Sequence, residues 1–257
     1  MIDLIKKVVP SSVKREIKLM LHKGDKFECP FCGFNAKDLM PIGLALPVLE
    51  EKQVVGAGKR AGGCYKCDST DRERLMYVYL KEKVGVFGEN KKLEILHIAP
   101  EKRLSQRLLN HGFEKYVCGD LFTEGYSYPD HVIDLSILEI PFDENTFDLI
   151  ICNHVLEHVP DDKLAMQELY RVLKEGGKAV LQVPLSKNTK ETYEDFSITK
   201  PKDRELAFGQ FDHVRIYGLD YKERLASAGF KVKTVNISEE FKKYGLNINE
   251  DVYIGEK

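Results

Sequence analysis

Residues 93–120 have the sequence LEILHIAPEKRLSQRLLNHGFEKYVCGD. An apolar run opens this stretch and predicts a short strand that ends at Ala99-Pro100-Glu101. A helix is expected from Glu101 to about Asn110, with the proline favourable at its start. Residues 115–120 predict a second strand, which ends in Asp120. A strand, a helix and a further strand in this order are typical of a parallel sheet that helices cover.

The alternation of strands and helices continues downstream. Strands are predicted at residues 131–135, 147–153 and 178–183, and a helix is predicted from Asp161 to Lys174. The sequence from Leu93 onward therefore indicates an α/β fold with a doubly wound, mostly parallel sheet.

The carboxyl ends of the strands form the expected ligand-binding edge of such a sheet. The turn from the first strand into its helix exposes free backbone amides, which favour a bound carboxylate or phosphate. Asp120 stands where a carboxylate commonly binds the ribose of a nucleoside. A nicotinamide dinucleotide is not favoured, because the G-x-G-x-x-G motif that it requires is absent from this strand–helix turn.

Two C-x2-C pairs lie upstream of the sheet. They are Cys29-Pro30-Phe31-Cys32-Gly33 and Cys64-Tyr65-Lys66-Cys67, separated by 31 residues. Two such turns supply the four tetrahedral sulfurs that structural zinc prefers, and Gly33 suits the left-handed turn after the second cysteine. Four free cysteines or a redox pair are weaker alternatives, because the spacing is duplicated and no thioredoxin-like context surrounds it. The sequence predicts a closed, structural zinc site with the ligands Cys29, Cys32, Cys64 and Cys67.

Three segments are expected along the chain. Residues 1–26 form an amphipathic helical segment, residues 27–83 a zinc ribbon with a helix from Asp71 to Lys83, and residues 91–257 the α/β domain. Within the first segment, Pro10 is expected to separate two helical pieces, with a serine as the cap of the second. This helix is expected to pack on its own domain, and an anionic membrane surface is the alternative.

Composition and charge exclude several classes of protein. The chain has 257 residues, 43% hydrophobic and 31% charged, with a net charge of -2, so it is not a strongly basic nucleic-acid binder. Residues 1–83 contain 16 Lys and Arg against 11 Asp and Glu, a net charge of +5, and the remainder carries -7. No apolar stretch is long enough to span a bilayer, and no secretory signal is recognised, so a cytoplasmic location is expected.

The stretch from Leu93 to Val235 resembles the class I S-adenosylmethionine (SAM)-dependent methyltransferases, in particular their type 11 group of small-molecule enzymes. The resemblance rests on the motifs DL, IPF and FD at residues 134–148, NHVLEHV at residues 153–159 and LYRVLKEGG at residues 169–177. No single motif is specific, but the combination is.

This resemblance implies a seven-stranded Rossmann-like sheet, whose last two strands, Phe230–Ile237 and Asp251–Gly255, form an antiparallel pair. It also implies that Asp120 binds the ribose hydroxyls and that Asp134 and Leu135 lie at the adenine. In the same family, residues equivalent to Asn153 and His154 lie behind the cofactor.

The chain departs from the family in the loop after the first strand. The family's acid-x-Gly-x-Gly is replaced by His97-Ile98-Ala99-Pro100-Glu101, which is similar to a bacterial subset of zinc-ribbon methyltransferases. Alanine is small enough to replace glycine, and Glu101 is expected to supply the carboxylate for the methionine ammonium of SAM. The expected cofactor-binding residues are His97, Ala99, Pro100, Glu101, Asp120, Leu121, Asp134, Leu135, Asn153 and His154.

Three histidines are candidates for the catalytic base, because histidine titrates near neutrality. They are His154, His158 and His213, the last of which ends a long aromatic stretch from Pro184 that is expected to form a lid or a binding loop. Each has a structural alternative, in which His158 with Glu157 caps the next helix, or His213 with Arg215 ties the lid to the sheet. A metal site at His154 and His158 is not favoured, because no third ligand is evident.

Three functions are consistent with these motifs. The first is methyl transfer to a small or carrier-linked metabolite, which the near-neutral charge and the aromatic lid favour. The second is RNA methylation, which the positive front segment favours and the lack of a dense basic patch disfavours. The third is a non-enzymatic zinc-ribbon adaptor with a degenerate SAM fold, suggested by the altered loop.

Two arginines after the second cysteine pair, Arg72 and Arg74, are expected to be solvated, with an anionic substrate as the alternative.

Overall fold

The computed structural model describes residues 10–124 and 127–257. In chain order the strands are β1 Lys23–Glu28, β2 Asn35–Ala36, β3 Met40–Ile42, β4 Val54–Val55, β5 Arg60–Gly63, β6 Glu94–Ile98, β7 Lys115–Asp120, β8 Val132–Asp134, β9 Phe147–Asn153, β10 Leu173–Gln182, β11 Leu185–Ser186, β12 Tyr193–Glu194, β13 Arg215–Ile216, β14 Lys231–Val235 and β15 Val252–Glu256. The α-helices are Ser11–His22, Pro47–Glu51, Asp71–Tyr79, Lys102–His111, Asp162–Val172, Pro201–Phe208 and Tyr221–Ser227.

A seven-stranded sheet organises the molecule, in the order β14-β15-β10-β9-β6-β7-β8. Strands β6 to β10 run parallel to their neighbours, whereas β15 is antiparallel to both β10 and β14. The α/β class, the seven strands and the antiparallel last pair are therefore confirmed. The parallel strands all end at one edge, and this edge brings the predicted cofactor residues together.

The central strands are buried on both faces, which explains their continuous apolar sequences. Along β9, Ile150 and Cys152 face one core, and Leu149 and Ile151 face the other. The first core is completed by the helix Asp162–Val172. The second is completed by the helices Asp71–Tyr79 and Lys102–His111, with the buried residues Leu75, Met76, Val78, Leu104 and Leu108.

The helix Asp71–Tyr79 connects the cysteine-rich segment to the sheet. It begins where the hydroxyl of Thr70 accepts a hydrogen bond from the amide of Glu73 at 3.2 Å. The predicted helix to Lys83 changes at Leu80–Val84 into a π-helical turn, which ends at Gly85 with a φ of 73°. The apolar side chains of this helix lie in the second core of the sheet, whereas the cysteines form a separate small cluster with Phe31 and Phe34.

The N-terminal helix Ser11–His22 differs from expectation in two ways. Pro10 is the N-cap and no side chain caps the helix, so the predicted serine cap is wrong. None of the helix residues is buried, and Ile17, Met20 and Leu21 are exposed, so it does not pack an apolar face on the described part of the protein. The helical piece predicted before Pro10 lies outside the described residues.

Two predicted boundaries shift near the sheet. The helix after β6 begins at Lys102 with Glu101 as its N-cap, so Pro100 precedes the helix instead of opening it. The helix Asp162–Val172 ends before Lys174, because Leu173 already pairs with Phe147.

Within the described ranges, no helix has the length and apolar character needed to cross a membrane.

Candidate active site and metal centre

The two cysteine pairs form matching turns. The amide of Cys29 donates to the carbonyl of Phe34, and Gly33 donates back to Cys29, with a φ of 66° at Gly33. In the second turn, Asp68 donates to Cys64 and takes the same left-handed conformation, with a φ of 58°. The conformation predicted for Gly33 is therefore present, and Asp68 occupies the matching position in the other turn.

These turns bring four sulfur atoms together. The Sγ atoms of Cys29 and Cys67 are 3.6 Å apart, those of Cys32 and Cys64 are 3.7 Å apart, and all four lie within 4.8 Å of one another. Hydrogen bonds from Cys64 and Cys67 lower the pKa of Cys29, whereas burial raises the pKa of Cys32 and the hydrogen bond with Cys29 raises that of Cys64. A compact set of four sulfurs fits the tetrahedral coordination of zinc.

The other cysteines lie far from this cluster in the fold. Cys118 is on β7 and Cys152 is on β9, and both are buried in the sheet. Burial raises the pKa of both thiols, so they are held in the neutral form. Neither belongs to a group of potential metal ligands among the residues that the structure describes.

Arg74 is buried rather than solvated, contrary to expectation. Its guanidinium donates to the carbonyls of Ser69, Tyr244 and Gly245 at 2.7–2.9 Å, and so ties the second cysteine turn to the loop before β15. Arg72 is only partly buried and donates to the carbonyl of Gly56 at 3.1 Å. The two arginines after the cysteines therefore have different surroundings.

Glu101 is the centre of a hydrogen-bond network at the carboxyl edge of the sheet. One oxygen lies 2.8 Å from His97 Nε2, and the other accepts from the Asn153 amide at 2.9 Å. The second ring nitrogen of His97 lies 2.8 Å from the Tyr116 hydroxyl. Burial alone would raise the pKa of Glu101, but the contacts with His97 and Asn153 outweigh it and leave the pKa below its usual value.

Two residues near this network adopt left-handed backbone conformations that are uncommon outside glycine. Ala99 has a φ of 47° and donates its amide to the carbonyl of Gly119 at 2.8 Å. His154 has a φ of 55° and donates its amide to Gln182 at 2.7 Å. Ala99 thus takes a conformation that glycine would adopt without strain, at the position where the family has glycine.

The next loop contains the predicted ribose and adenine residues. Asp120 ends β7, and burial raises the pKa of its carboxyl. Leu121 is exposed, Leu135 is buried, and the carboxylate of Asp134 accepts from the Phe122 amide at 2.9 Å. Asp120 and Asp134 are neighbours across the β7–β8 pairing, which brings these residues together at one edge.

The three predicted catalytic histidines surround one buried carboxylate, that of Glu157. His154 Nδ1, His158 Nε2 and His213 Nε2 lie 3.5, 3.9 and 4.0 Å from Glu157 Oε1. His158 Nδ1 is also 3.3 Å from a carboxylate oxygen of Asp212. Helix capping does not explain Glu157 and His158, because the side chain of Asp161 caps the following helix.

The surroundings of these histidines change their pKa values in different directions. Burial lowers the pKa of His213 to about 4, and burial together with the charge of Arg72 lowers that of His154. For His158, burial is outweighed by Asp212 and Glu157, and the pKa is raised. Burial would raise the pKa of Glu157, but the three imidazoles bring it to about 2.

The segment between the cysteine pairs reaches this edge of the sheet, which the sequence did not predict. Strand β4 pairs with β11, and a cavity of about 190 Å³ lies between the segment and the lid. Arg72 and His213 are among its lining residues, together with Leu49, Gly56 and Phe211.

Glu250 is a further acidic residue at this edge that the sequence did not reveal. It is buried, one of its oxygens has no hydrogen-bond partner, and a Cβ on Gly56 would lie 3.3 Å from the other. Burial and the charge of Asp71 raise its pKa to about 7. No local motif marks Glu250, because its neighbours come from other segments.

Arg215 holds the lid against the sheet. Its buried guanidinium donates to the carboxylate of Glu194 in the lid at 2.9 Å and to carbonyls of the loop after β9, at Leu156, Val159 and Pro160. Of the pair His213 and Arg215, Arg215 therefore has the predicted structural role of tying the lid to the sheet. His213 lines the cavity instead.

Comparison with known proteins identifies a methyltransferase domain in the chain. Residues 101–181 match the family model described as a methyltransferase domain. Similar curated proteins include an uncharacterised protein of Methanocaldococcus jannaschii, 40% identical over 76 residues, which are 28% of this chain and 33% of that protein. A demethylmenaquinone methyltransferase of Oceanobacillus iheyensis is 44% identical over 43 residues, 17% of this chain and 18% of that protein.

The chain therefore matches a third or less of the length of each of these two relatives. Among solved structures, a SAM-dependent methyltransferase from Archaeoglobus fulgidus is 14% identical, with a TM-score of 0.48, over 72% of this chain and 94% of that one.

Proposed function

We propose that this chain, which contains a class I SAM-dependent methyltransferase domain, transfers a methyl group from SAM to a small or carrier-linked metabolite. The observation that carries the proposal is the ionised Glu101 at the carboxyl edge of the sheet, beside Asp120 and the motif at Asn153. SAM supplies a methyl group bound to a positively charged sulfonium. Carboxylates at this edge suit both the cationic methionine end and the ribose of such a cofactor.

For the cofactor, we assign Asp120 to the ribose and Glu101 to the methionine ammonium. Asp134, Leu121 and Leu135 belong to the adenine side in this proposal. Ala99 and Pro100 shape the loop, and His97 and Asn153 hold the Glu101 carboxylate by hydrogen bonds at 2.8 and 2.9 Å. Because both oxygens are held, the carboxylate is fixed before the cofactor arrives, which limits the entropy lost on binding.

For the acceptor, we assign the cavity between the inter-cysteine segment and the lid. Its lining combines apolar side chains such as Leu49 and Phe211 with the cationic Arg72, which suits a small molecule that has both apolar and anionic parts. The naphthoquinone-type substrates named for some curated relatives also combine a ring with a lipid chain. Of the predicted bases, His213 lines this cavity and His154 lies against its lining residue Gly56, and burial lowers the pKa of both.

For the zinc, we assign a structural role to a single ion at the four cysteines. The site is closed, since all four positions of a tetrahedral ion are filled by sulfur. Its position also supports a role in shaping the acceptor cavity, because the segment between the cysteine pairs forms one wall of that cavity.

The cofactor assignment is tested by calorimetric titration of SAM into the purified chain. Asp120→Ala should weaken binding by on the order of 2–3 kcal/mol, as expected when a charge-assisted hydrogen bond is lost. Asp130→Ala, an exposed aspartate outside the site, is the control and should bind normally. Unchanged affinity in Asp120→Ala would contradict the assignment, and absence of SAM binding in the wild type would contradict the proposed function.

The acceptor assignment is tested with SAM carrying a labelled methyl group. The chain is incubated separately with the small-molecule, lipid and RNA fractions of a cell extract, and label is expected in a small-molecule or lipid product. Label in RNA alone would instead support the RNA methyltransferase hypothesis. Binding of SAM without transfer to any fraction would support the non-enzymatic adaptor.

A further inference from the structure

The carboxylate of Glu157 lies at a junction of segments that are distant in sequence. Glu157 and His158 belong to the 3-10 turn Leu156–His158 after β9, and His213 lies just before β13. The two segments are held in register because the amide of Val214 donates to the carbonyl of Glu157 at 3.0 Å. The side chains of Glu157 and His213 are 2% and 7% exposed, so both groups are almost fully removed from water.

The hydrogen-bonding capacity of this carboxylate is not satisfied. Its Oε2 atom is buried without a partner, and the Nε2 atoms of His158 and His213 are 3.9 and 4.0 Å from Oε1, beyond hydrogen-bond distance. The imidazole nitrogen nearest to Oε1 is His154 Nδ1 at 3.5 Å, so only Oε2 is left without a partner. A buried carboxylate oxygen without a partner is costly, and each such group in a native structure needs an explanation.

The separations fit a bound cation. One ligand atom each from Glu157, His158 and His213 lie within 4.8 Å of one another. Metal bonds to imidazole nitrogen and carboxylate oxygen are about 2.0–2.2 Å long, so a single ion between these atoms could contact all three. This set differs from the pair His154 and His158, because it combines His158 with Glu157 and with His213, which lies 55 residues beyond His158 in the chain.

His158 is also oriented as a metal ligand usually is. A ligating histidine normally hydrogen-bonds a carboxylate or carbonyl through its other ring nitrogen. His158 Nδ1 lies 3.3 Å from Asp212 Oδ2, which leaves its Nε2 on the side of Glu157.

We propose that Glu157, His158 and His213 bind a divalent transition-metal ion such as Zn²⁺, at a second site separate from the four cysteines. Two imidazoles and one carboxylate form a ligand set that zinc and similar ions accept, and three protein ligands leave a coordination position open. Because His213 lines the acceptor cavity, that position would be available to an oxygen of the acceptor. Metal binding at this site does not depend on the proposed methyl transfer.

The test counts metal ions in the full chain. Protein that holds one zinc at the cysteines is freed of loosely bound metal on a chelating resin and is then titrated calorimetrically with Zn²⁺. A second equivalent should bind to the wild type and raise the melting temperature. Failure of a second equivalent to bind would overturn the proposal.

Variants then locate the second ion. The double variant His158→Ala/His213→Ala should lose the second equivalent and keep the first, and His131→Ala, an exposed histidine, should keep both. Asp212→Asn should weaken the second equivalent by about 10- to 100-fold, because it alters the group that orients His158. If the double variant does not fold, Glu157→Gln serves in its place. A second equivalent that binds equally well to all folded variants would contradict the assignment to these residues.

Discussion

At the scale of single residues, a variant of Glu101 can distinguish whether this glutamate binds the cofactor or only supports the loop. Glu101→Gln keeps the shape and removes the charge. The hydrogen bonds can persist, because the new amide can donate to His97 Nε2 while the ring donates to Tyr116 from Nδ1. We expect SAM to bind about 10- to 100-fold more weakly, as for a lost charge-assisted hydrogen bond.

The measurement pairs calorimetry with thermal melting on the same sample. If Glu101 binds SAM, the affinity of Glu101→Gln for SAM falls while its melting temperature changes little. Glu114→Gln makes the same chemical change at an exposed position and should alter neither quantity. A loss of stability with normal SAM affinity would mean that Glu101 only supports the loop.

Glu250 gives a prediction about pH. Burial first, and then the charge of Asp71, raise its pKa to about 7, whereas a glutamate in an unfolded chain titrates near 4.3. Between these two values the folded state binds a proton that the unfolded state releases, so the free energy of unfolding falls as the pH rises.

Glu250→Gln removes this loss because glutamine does not ionise. Relative to the wild type, the free energy of unfolding of the variant should be higher by on the order of 2–3 kcal/mol at pH 8, and by much less at pH 5. Urea unfolding at the two pH values measures this difference, with Glu114→Gln as the control. An equal gain at both pH values would show that ionisation of Glu250 is not its cause.

At the scale of elements, Arg74 connects the second cysteine turn to the loop that leads into β15. Its three carbonyl acceptors, two of them in buried hydrogen bonds, would lose their partner in Arg74→Met. We expect the free energy of unfolding to fall by roughly 3 kcal/mol or more, since buried acceptors without donors are costly. Urea denaturation measures this loss.

A matched control for that variant is Lys163→Met, which replaces an exposed cation on the helix Asp162–Val172. It should change stability by less than about 0.5 kcal/mol. Similar effects of the two substitutions would mean that the Arg74 link contributes little.

At the scale of the whole molecule, the zinc module (the zinc ribbon and its helix, residues 27–83) and the sheet should unfold together. The helix Asp71–Tyr79, which directly follows the second cysteine turn, packs in the core of the sheet, and β4 pairs with β11. Cys29→Ser should remove one equivalent of zinc and destabilise the whole chain by at least about 3 kcal/mol, in a single transition.

Metal analysis and urea unfolding of the same samples test this expectation. Cys118→Ala, at a buried thiol on β7, should keep the zinc and lower the free energy of unfolding by only about 1 kcal/mol. Two separate transitions in Cys29→Ser, with the sheet unfolding at its normal midpoint, would show that the module is energetically independent.

The sequence by itself determined the α/β class, the strands β7 and β9 with their bounds, the cysteine cluster and the edge at which the candidate residues meet. These features depend on local patterns, such as continuous apolar runs bounded by turns and repeated cysteine spacing. A ligand-binding edge also follows locally, because parallel strands connected by helices all end on one side.

Only the tertiary structure decided which groups meet at that edge. His213 beside Glu157, and the acceptors Tyr244 and Gly245 of Arg74, come from segments far from their partners in the chain. Helix and strand periodicity specifies which face of an element is buried, but it does not specify which distant segment covers that face. Those contacts, and the pKa values that follow from them, are set by how the zinc module and the lid pack over the sheet.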